Sequence, residues 1–300
     1  MGNGHHPSGN DTVVHPVPIR VLVGKKGGYA MTDFSTIAHS YREKSLVQAS
    51  AGKQLMDMLA LAGDEDILDV GCGAGNLTVE LRGRTVGRVV GIDQAQGMIR
   101  RAQEQYADRN IEFQVGSSDC LPFTKAFEVI FCNSAFQWFP RPKATLREFH
   151  RALRPSGRVG MQASATRNYS PNFLRAIAHC RRSAEIDRLF AGFRSPWFFL
   201  DSAEEYQTLF EQAGFTVNTC RIAALHLPCT PLKAFDVFNS GAAAGYLSQA
   251  CFSDPLPEDF AERMRQGVRE SFEEQADADG RIDLVFHRIF LTAAKTDPTA

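Results

Sequence analysis

Ile67-Leu68-Asp69-Val70-Gly71-Cys72-Gly73-Ala74-Gly75-Asn76 is the stretch on which the fold of this 300-residue chain turns. Its first four residues read as a short, fully buried strand, and the helical pattern resumes from Leu77 to Leu81. Between them lie three glycines spaced by one residue. Glycines let the backbone turn sharply and approach a ligand, and the following helix N-terminus offers free N–H groups. A second apolar run, Arg88 to Asp93, ends in an acid 22 residues after Gly71. That is the separation expected of a carboxylate that holds ribose hydroxyls.

Two ligands compete for this geometry. A dinucleotide calls for GxGxxG, so that a pyrophosphate can sit on the helix N-terminus. Here the spacing is GxGxG, and Asn76 stands where the third glycine would be. Asp69 at the strand end repels phosphate and suits an ammonium. S-adenosylmethionine (SAM) carries an ammonium, a sulfonium and a ribose diol but no phosphate, and it fits the pattern better.

The alternation continues outward. A helix is predicted before the turn over Lys44 to Ala62, and another over Ala95 to Tyr106 with Met98, Ile99 and Ala102 on one face. Ile111 to Val115, Phe127 to Cys132 and Gly157 to Ala163 read as strands three to five, with a helix over Lys143 to Leu153. Short apolar strands alternating with helices imply a parallel sheet covered on both faces. After Ala163 the alternation stops. Residues 164–200, rich in Arg and Phe, and residues 230–278 read as helical cap insertions. Between them a helix over Ser202 to Ala213, capped by Asp201 or Ser202 and stopped by Gly214, precedes a sixth strand over Phe215 to Ile222. Ile282 to Thr292 is the last strand. Residues 1–30 read as a flexible leader, with Met31 a possible start, ahead of a single domain over 31–295.

Composition narrows the function. The formal charge is −1, from 33 basic and 34 acidic side chains, which leaves no electrostatic footprint for nucleic acid or an anionic membrane surface. No apolar run approaches the ~18 residues of a spanning helix, and the leader lacks the apolar stretch and cleavage site of a signal peptide. Seven cysteines, an odd number without a CxxC pair, suggest neither a disulfide framework nor a zinc site. They read as thiols of a reducing compartment, the cytoplasm, and no metal is expected. The 22 Phe against 6 Tyr and 2 Trp cluster partly in the first insertion.

Ile67 to Asn76, Val90-Gly91-Ile92-Asp93, Ser118-Asp119 and Phe131-Cys132-Asn133-Ser134-Ala135-Phe136-Gln137-Trp138 together resemble the successive motifs of class I SAM-dependent methyltransferases. The resemblance covers roughly residues 35–163, and 201–295 more loosely. It implies a Rossmann-like, seven-stranded, mostly parallel sheet of order 3-2-1-4-5-7-6 with the last strand antiparallel. It also implies site residues. Asp69, Gly71 and Gly73 would line the methionine end, and Asp93 would hold the ribose. Gln94 and Met98 would flank the adenine, whose amino group would donate to Asp119 beside Cys120. Asn133 would close the floor, and Tyr41 and Gln48 match positions that reach the methionine carboxylate and substrate.

The acceptor is read from the same segments. Enzymes that methylate DNA amino groups carry Asn/Asp-Pro-Pro-aromatic after strand four, and this chain does not. Asn133 to Trp138, with Trp197 and Asp201 to Gly214, instead resembles the branch of trans-aconitate and malonyl-carrier-protein O-methyltransferases. That implies methyl transfer to a carboxylate of a small molecule. Gln137, Trp138 and Trp197 are substrate candidates. Arg is the natural anchor for a carboxylate, and Arg167, Arg175, Arg181, Arg182 and Arg194 are available in the first insertion. Phe190, Phe193, Trp197, Phe198 and Phe199 are expected to form an apolar lid, and His39 and His150 are possible bases. Two other readings stand beside this one: a larger apolar acceptor such as a lipid, quinone or polyketide, and a SAM-binding protein without turnover.

Overall fold

Strand β1 (Ile67–Val70) is buried along its whole length, as a strand covered on both faces must be. It pairs in parallel with β2 (Val89–Asp93) on one side and β4 (Phe127–Asn133) on the other. β2 continues to β3 (Glu112–Val115), and β4 to β5 (Leu153–Ser164), all parallel. β7 (Ile282–Lys295) runs antiparallel between β5 and β6 (Phe215–Cys229). The order is therefore β3-β2-β1-β4-β5-β7-β6, as the motif resemblance implied. The strand order reverses between β1 and β4, and a ligand cleft belongs at the carboxyl ends on either side of that point.

The computed structural model describes Met1 and residues 46–296, with side chains from 51 onward. Tyr41, His39 and the expected leader beyond Met1 lie outside the described residues. Gln48 lies on α1 (Leu46–Leu59), but its side chain is not among those described. Further helices against the sheet include α2 (Asn76–Arg82), α3 (Gln96–Gln105) and α4 (Pro142–Ala152). No described helix is long and apolar enough to cross a membrane. All seven cysteines are free thiols, and no described cluster of His, Cys, Asp and Glu could hold a metal.

The first insertion carries α5 (Pro171–Cys180) and α6 (Ala184–Phe190), then an extended run to Asp201. α7 (Ala203–Glu211) returns the chain to the sheet. It starts with a capping box in which Ser202 Oγ accepts from the Glu205 N–H at 3.2 Å and Glu205 Oε2 accepts from the Ser202 N–H. Gly214, at φ +88°, turns the chain out of it. The second insertion carries α8 (Pro231–Asn239), α9 (Ala243–Tyr246) and α10 (Phe260–Glu274).

The two insertions share one apolar core. Phe173 and Cys180 of α5 pack with Phe238 of α8, with Met264 and Phe272 of α10, and with Leu284 and Phe286 of β7. α5 and α10 cross so closely that a Cβ on Gly267 would lie 2.8 Å from Cys180 Sγ.

The sixth strand outruns its expected end by seven residues. β6 continues from Ile222 to Cys229, paired with β7 as far as Cys229 against Ile282. Leu225, Leu227 and Cys229 face inward while Ala224, His226 and Pro228 are exposed, an alternation of period two. β6 is an edge strand, so Pro228 can sit in it without breaking a ladder.

Candidate active site

The glycine turn between β1 and α2 holds Gly71, Gly73 and Gly75 at φ +79°, +55° and +81°, where any other residue is strained. The glycines serve different ends. A Cβ on Gly71 would lie 2.3 Å from Ala135 Cβ, and one on Gly75 2.7 Å from the Phe113 ring. A Cβ on Gly73 would meet nothing within 4 Å, because Gly73 faces open space. The N–H groups of Gly71 and Cys72 both bond the Ile92 carbonyl, tying the turn to β2.

Asp93, at the tip of β2, clamps the turn from the other side. Its Oδ2 accepts from the Gly73 N–H at 3.0 Å and its Oδ1 from the Ala95 N–H at 2.8 Å. Burial raises its pKa above the ordinary carboxylate range, and these two N–H groups work against that rise. Asp69 lies behind the turn rather than on its open side. It is 2% exposed and accepts from Thr78 Oγ1 at 2.7 Å. Burial pushes its pKa up to about 7, opposed by the Thr78 bond and assisted by the charge of Asp93.

Over this turn opens a concave chamber lined by both polar and apolar groups. Of the expected residues, Gly71, Gly73, Asp93, Gln94, Met98 and Asn133 line it. Asp69, Asp119 and Cys120 do not. The Asp119 carboxylate instead accepts from Ser117 Oγ at 2.6 Å and pairs with Arg141 at 2.7 Å, and its neighbour Ser118 faces the chamber. Cys120 is exposed. Sequence reasoning missed Ser134, and also Ser240 and Gly241, which the second insertion brings across from the far end of α8.

A second chamber of about 630 Å³ adjoins the first, and Trp138, Ser240 and Gly241 line both. Three of the substrate candidates, Gln137, Trp138 and Trp197, line it. Tyr169, Phe173, Phe199 and Phe286 add an aromatic wall. Its rings are packed edge-to-face or stacked, with Trp197 5.5 Å from Trp138 and Tyr169 5.3 Å from Phe199. The expected lid divides: Trp197 and Phe199 face the chamber, and Phe198 packs 6.0 Å from Phe136 in the main core. Phe190 and Phe193 pack on Phe252 inside the insertion core.

The five arginines considered as anchors line neither chamber. Arg167 is exposed and faces Asp201 at 3.5 Å, and Arg194 is exposed at the surface. Arg175 and Arg181 bond Gln275 and Asp187, and Arg182 faces Glu274 at 3.8 Å, on the outside of the insertions. A helix surface keeps a long charged side chain in water unless packing forces it in. His150 packs against Phe215 at the end of α4, and it lines neither chamber.

The arginine on the second chamber is Arg288 of β7, 4% exposed. Its guanidinium donates to Ser134 Oγ, to Gln162 Oε1 at 3.0 Å and to Ser164 Oγ at 3.4 Å. A sequence signal existed. Ile282, Leu284, Phe286 and Arg288 share one parity of a strand, so Arg288 falls in phase with an inward-facing apolar row.

Seven strands in this order, with a glycine turn after the first and an acid closing the second, define the Rossmann-like methyltransferase class. A family model described as a methyltransferase domain matches residues 67–157. An uncharacterized methyltransferase of Schizosaccharomyces pombe is 31% identical over 60% of this chain and 70% of its own length. A malonyl-[acyl-carrier protein] O-methyltransferase of Acetivibrio thermocellus is 31% identical over 52% of this chain, which spans only 56% of that enzyme. A trans-aconitate 2-methyltransferase of Rhodopseudomonas palustris is 27% identical over 88% of this chain and all of its own length. Among solved structures, the YcgJ protein of Bacillus subtilis has the same fold, with a TM-score of 0.56 at 18% identity over 83% of this chain and 99% of its own. The chain belongs to the class I SAM-dependent methyltransferase family.

Proposed function

We propose that this enzyme moves a methyl group from SAM, held in the first chamber, to a carboxylate oxygen of a small molecule held in the second. None of the described residues lining the first chamber is basic, while Asp93 is there to accept from a ribose diol. That donor set suits a ligand with hydroxyls and a positive charge and disfavours a pyrophosphate. Gly73 supplies the open face against which such a ligand can lie. SAM, when bound, supplies a methyl group on a sulfonium; the C–S electron pair stays on sulfur as the O–CH3 bond forms, and no proton moves.

The observation that carries the carboxylate reading is the pair of ionisable groups on the described wall of the second chamber. One is the buried guanidinium of Arg288, which favours an anion. The other is the phenol of Tyr169, neutral at ordinary pH and with its pKa raised further by burial. An amine would arrive protonated and be repelled by Arg288, and a phenol or thiol would first have to lose a proton. A carboxylate arrives ionised. What remains for the protein is to orient the acceptor and exclude water, which can contribute about 7–11 kcal/mol. The malonyl and trans-aconitate relatives, both named for acid substrates, support this reading.

The aromatic wall favours a second reading, a larger apolar acceptor such as a lipid, quinone or polyketide. A labelled-methyl assay across acids, phenols, amines and thiols tests both. Carboxylate esters release volatile labelled methanol in base. Label that survives base treatment would overturn the first reading.

A further inference from the structure

We infer that the acceptor is a monocarboxylic acid with a flat, apolar body and one hydrogen-bond donor, its carboxylate held by Arg288 and its donor by Gln137. This rests on the carboxylate reading above and deepens it. Arg288 is the one cationic side chain among the described residues lining the second chamber. A di- or tricarboxylate would bring two or more charges against a described wall that carries a single buried cation. Taking an uncompensated carboxylate out of water is costly, so such acids are disfavoured.

The rest of the chamber is shaped for a ring or a short chain. Tyr169, Phe173, Trp197, Phe199 and Phe286 present ring faces and edges, beside the hydroxyls of Ser164 and Ser240. Gln137 adds a buried acceptor. It is 6% exposed and its Nε2 donates to the Ser134 carbonyl at 2.9 Å, which fixes the amide and turns Oε1 away from that bond. Gln137 Oε1 is buried with no hydrogen-bond partner among the described residues. A buried acceptor left unpaired is costly, and a hydroxyl or N–H on the ligand would satisfy it.

Arg288 can take a carboxylate without leaving its place. Its bond to Ser164 Oγ is long, at 3.4 Å, and Ser164 also faces the chamber. A carboxylate oxygen is a stronger acceptor than a neutral hydroxyl and would displace it. Arg288 also bonds Ser134, which lines the first chamber, so the acceptor's anchor sits on the wall shared with the methyl donor's chamber.

The test is steady-state methylation by the full chain of cinnamate, 4-hydroxycinnamate, octanoate, citrate and trans-aconitate. Cinnamates should exceed the tricarboxylates in kcat/KM by at least about tenfold, and the hydroxylated acid should exceed its parent by several-fold. Gln137→Leu should abolish the preference for the hydroxyl. Arg288→Gln should raise KM for acids by about tenfold or more while calorimetric SAM affinity stays within about threefold. If Arg288→Gln does not fold, Arg288→Lys serves, with a several-fold rise in KM because Lys keeps the charge and loses the fork. Tricarboxylates as the better substrates, or acid KM unchanged in the arginine variants, would refute the inference. Base-labile product with unchanged KM would sink the anchor alone and leave the carboxylate reading standing. Base-stable product would sink both.

Discussion

Asp69 offers a test of the site that needs no ligand. Burial lifts its pKa from the ordinary 3.8 to about 7, so the folded protein holds a proton there that the unfolded chain has released. The unfolding free energy therefore falls as pH rises from about 4 to about 7, and it is flat above that. Each pH unit in the window costs about 1.4 kcal/mol, or about 4 kcal/mol in all. Asp69→Asn removes the titration while leaving an oxygen for the Thr78 hydroxyl, which bonds Asp69 at 2.7 Å. Glu65 titrates outside this window: its pKa is lowered to about 2 by N–H groups of Ala62 and Gly63 and by Arg158, against the opposing effect of burial. Its contribution is lost only as pH falls toward that value. Urea unfolding of both proteins at intervals from pH 5 to 8 measures the difference. The variant should gain on the wild type by about 3 kcal/mol between pH 5 and 8. Parallel profiles, within about 0.5 kcal/mol across that range, would refute a buried, proton-holding Asp69.

The cofactor chamber makes two further predictions. Asp93→Ala removes a charged acceptor for the ribose diol and frees two backbone N–H groups, and calorimetry should find SAM affinity reduced at least about tenfold. Unchanged affinity would sink the ribose assignment. Gly71→Ala and Gly73→Ala introduce the same methyl group at similar φ with different consequences. The first drives a Cβ to 2.3 Å from Ala135 and should cost folding stability in thermal unfolding. The second meets nothing in the free protein and should leave a cooperative fold, destabilised by about 1 kcal/mol of backbone strain, with SAM binding lost. Equal losses of stability in the two variants would contradict the separate roles given to these glycines.

The first chamber was legible because its determinants are contiguous. A turn of ten residues and one acid at the next strand tip specify the local backbone, and the structure adds only which way each group faces. That addition matters for Asp69. A strand alternates its faces, and the residue before Val70 points into the layer beneath the turn, where Thr78 waits for it. Asp119 illustrates a different limit: Ser117 and Arg141 claim its carboxylate, and no pattern within its own loop foretells Arg141, 22 residues on. The second chamber was less legible still. Its wall comes from the segment after β4, the start and end of the first insertion, the end of α8, and β7. These meet only once both insertions have closed on each other. Arginines were sought in the first insertion because that segment is rich in them, yet abundance on a helical surface is what solvation produces. The informative arginine was the one out of place in an apolar row.

Ser134 shows how the two chambers are joined. It follows β4 directly and adopts φ +56°, a left-handed conformation that a non-glycine residue holds at a cost of about 1–3 kcal/mol. Three contacts keep it there. Its N–H bonds the Gln162 carbonyl at 2.7 Å, its Oγ reaches Gln162 Oε1 at 3.2 Å, and Arg288 donates to the same Oγ. The left-handed residue turns the chain out of β4 into the short helix of Phe136–Trp138, which carries Gln137 to the second chamber and Trp138 to the boundary of both. The strain and the buried guanidinium are thus parts of one arrangement: β7 supplies the charge, β5 supplies Gln162 to hold it, and the end of β4 bends around them.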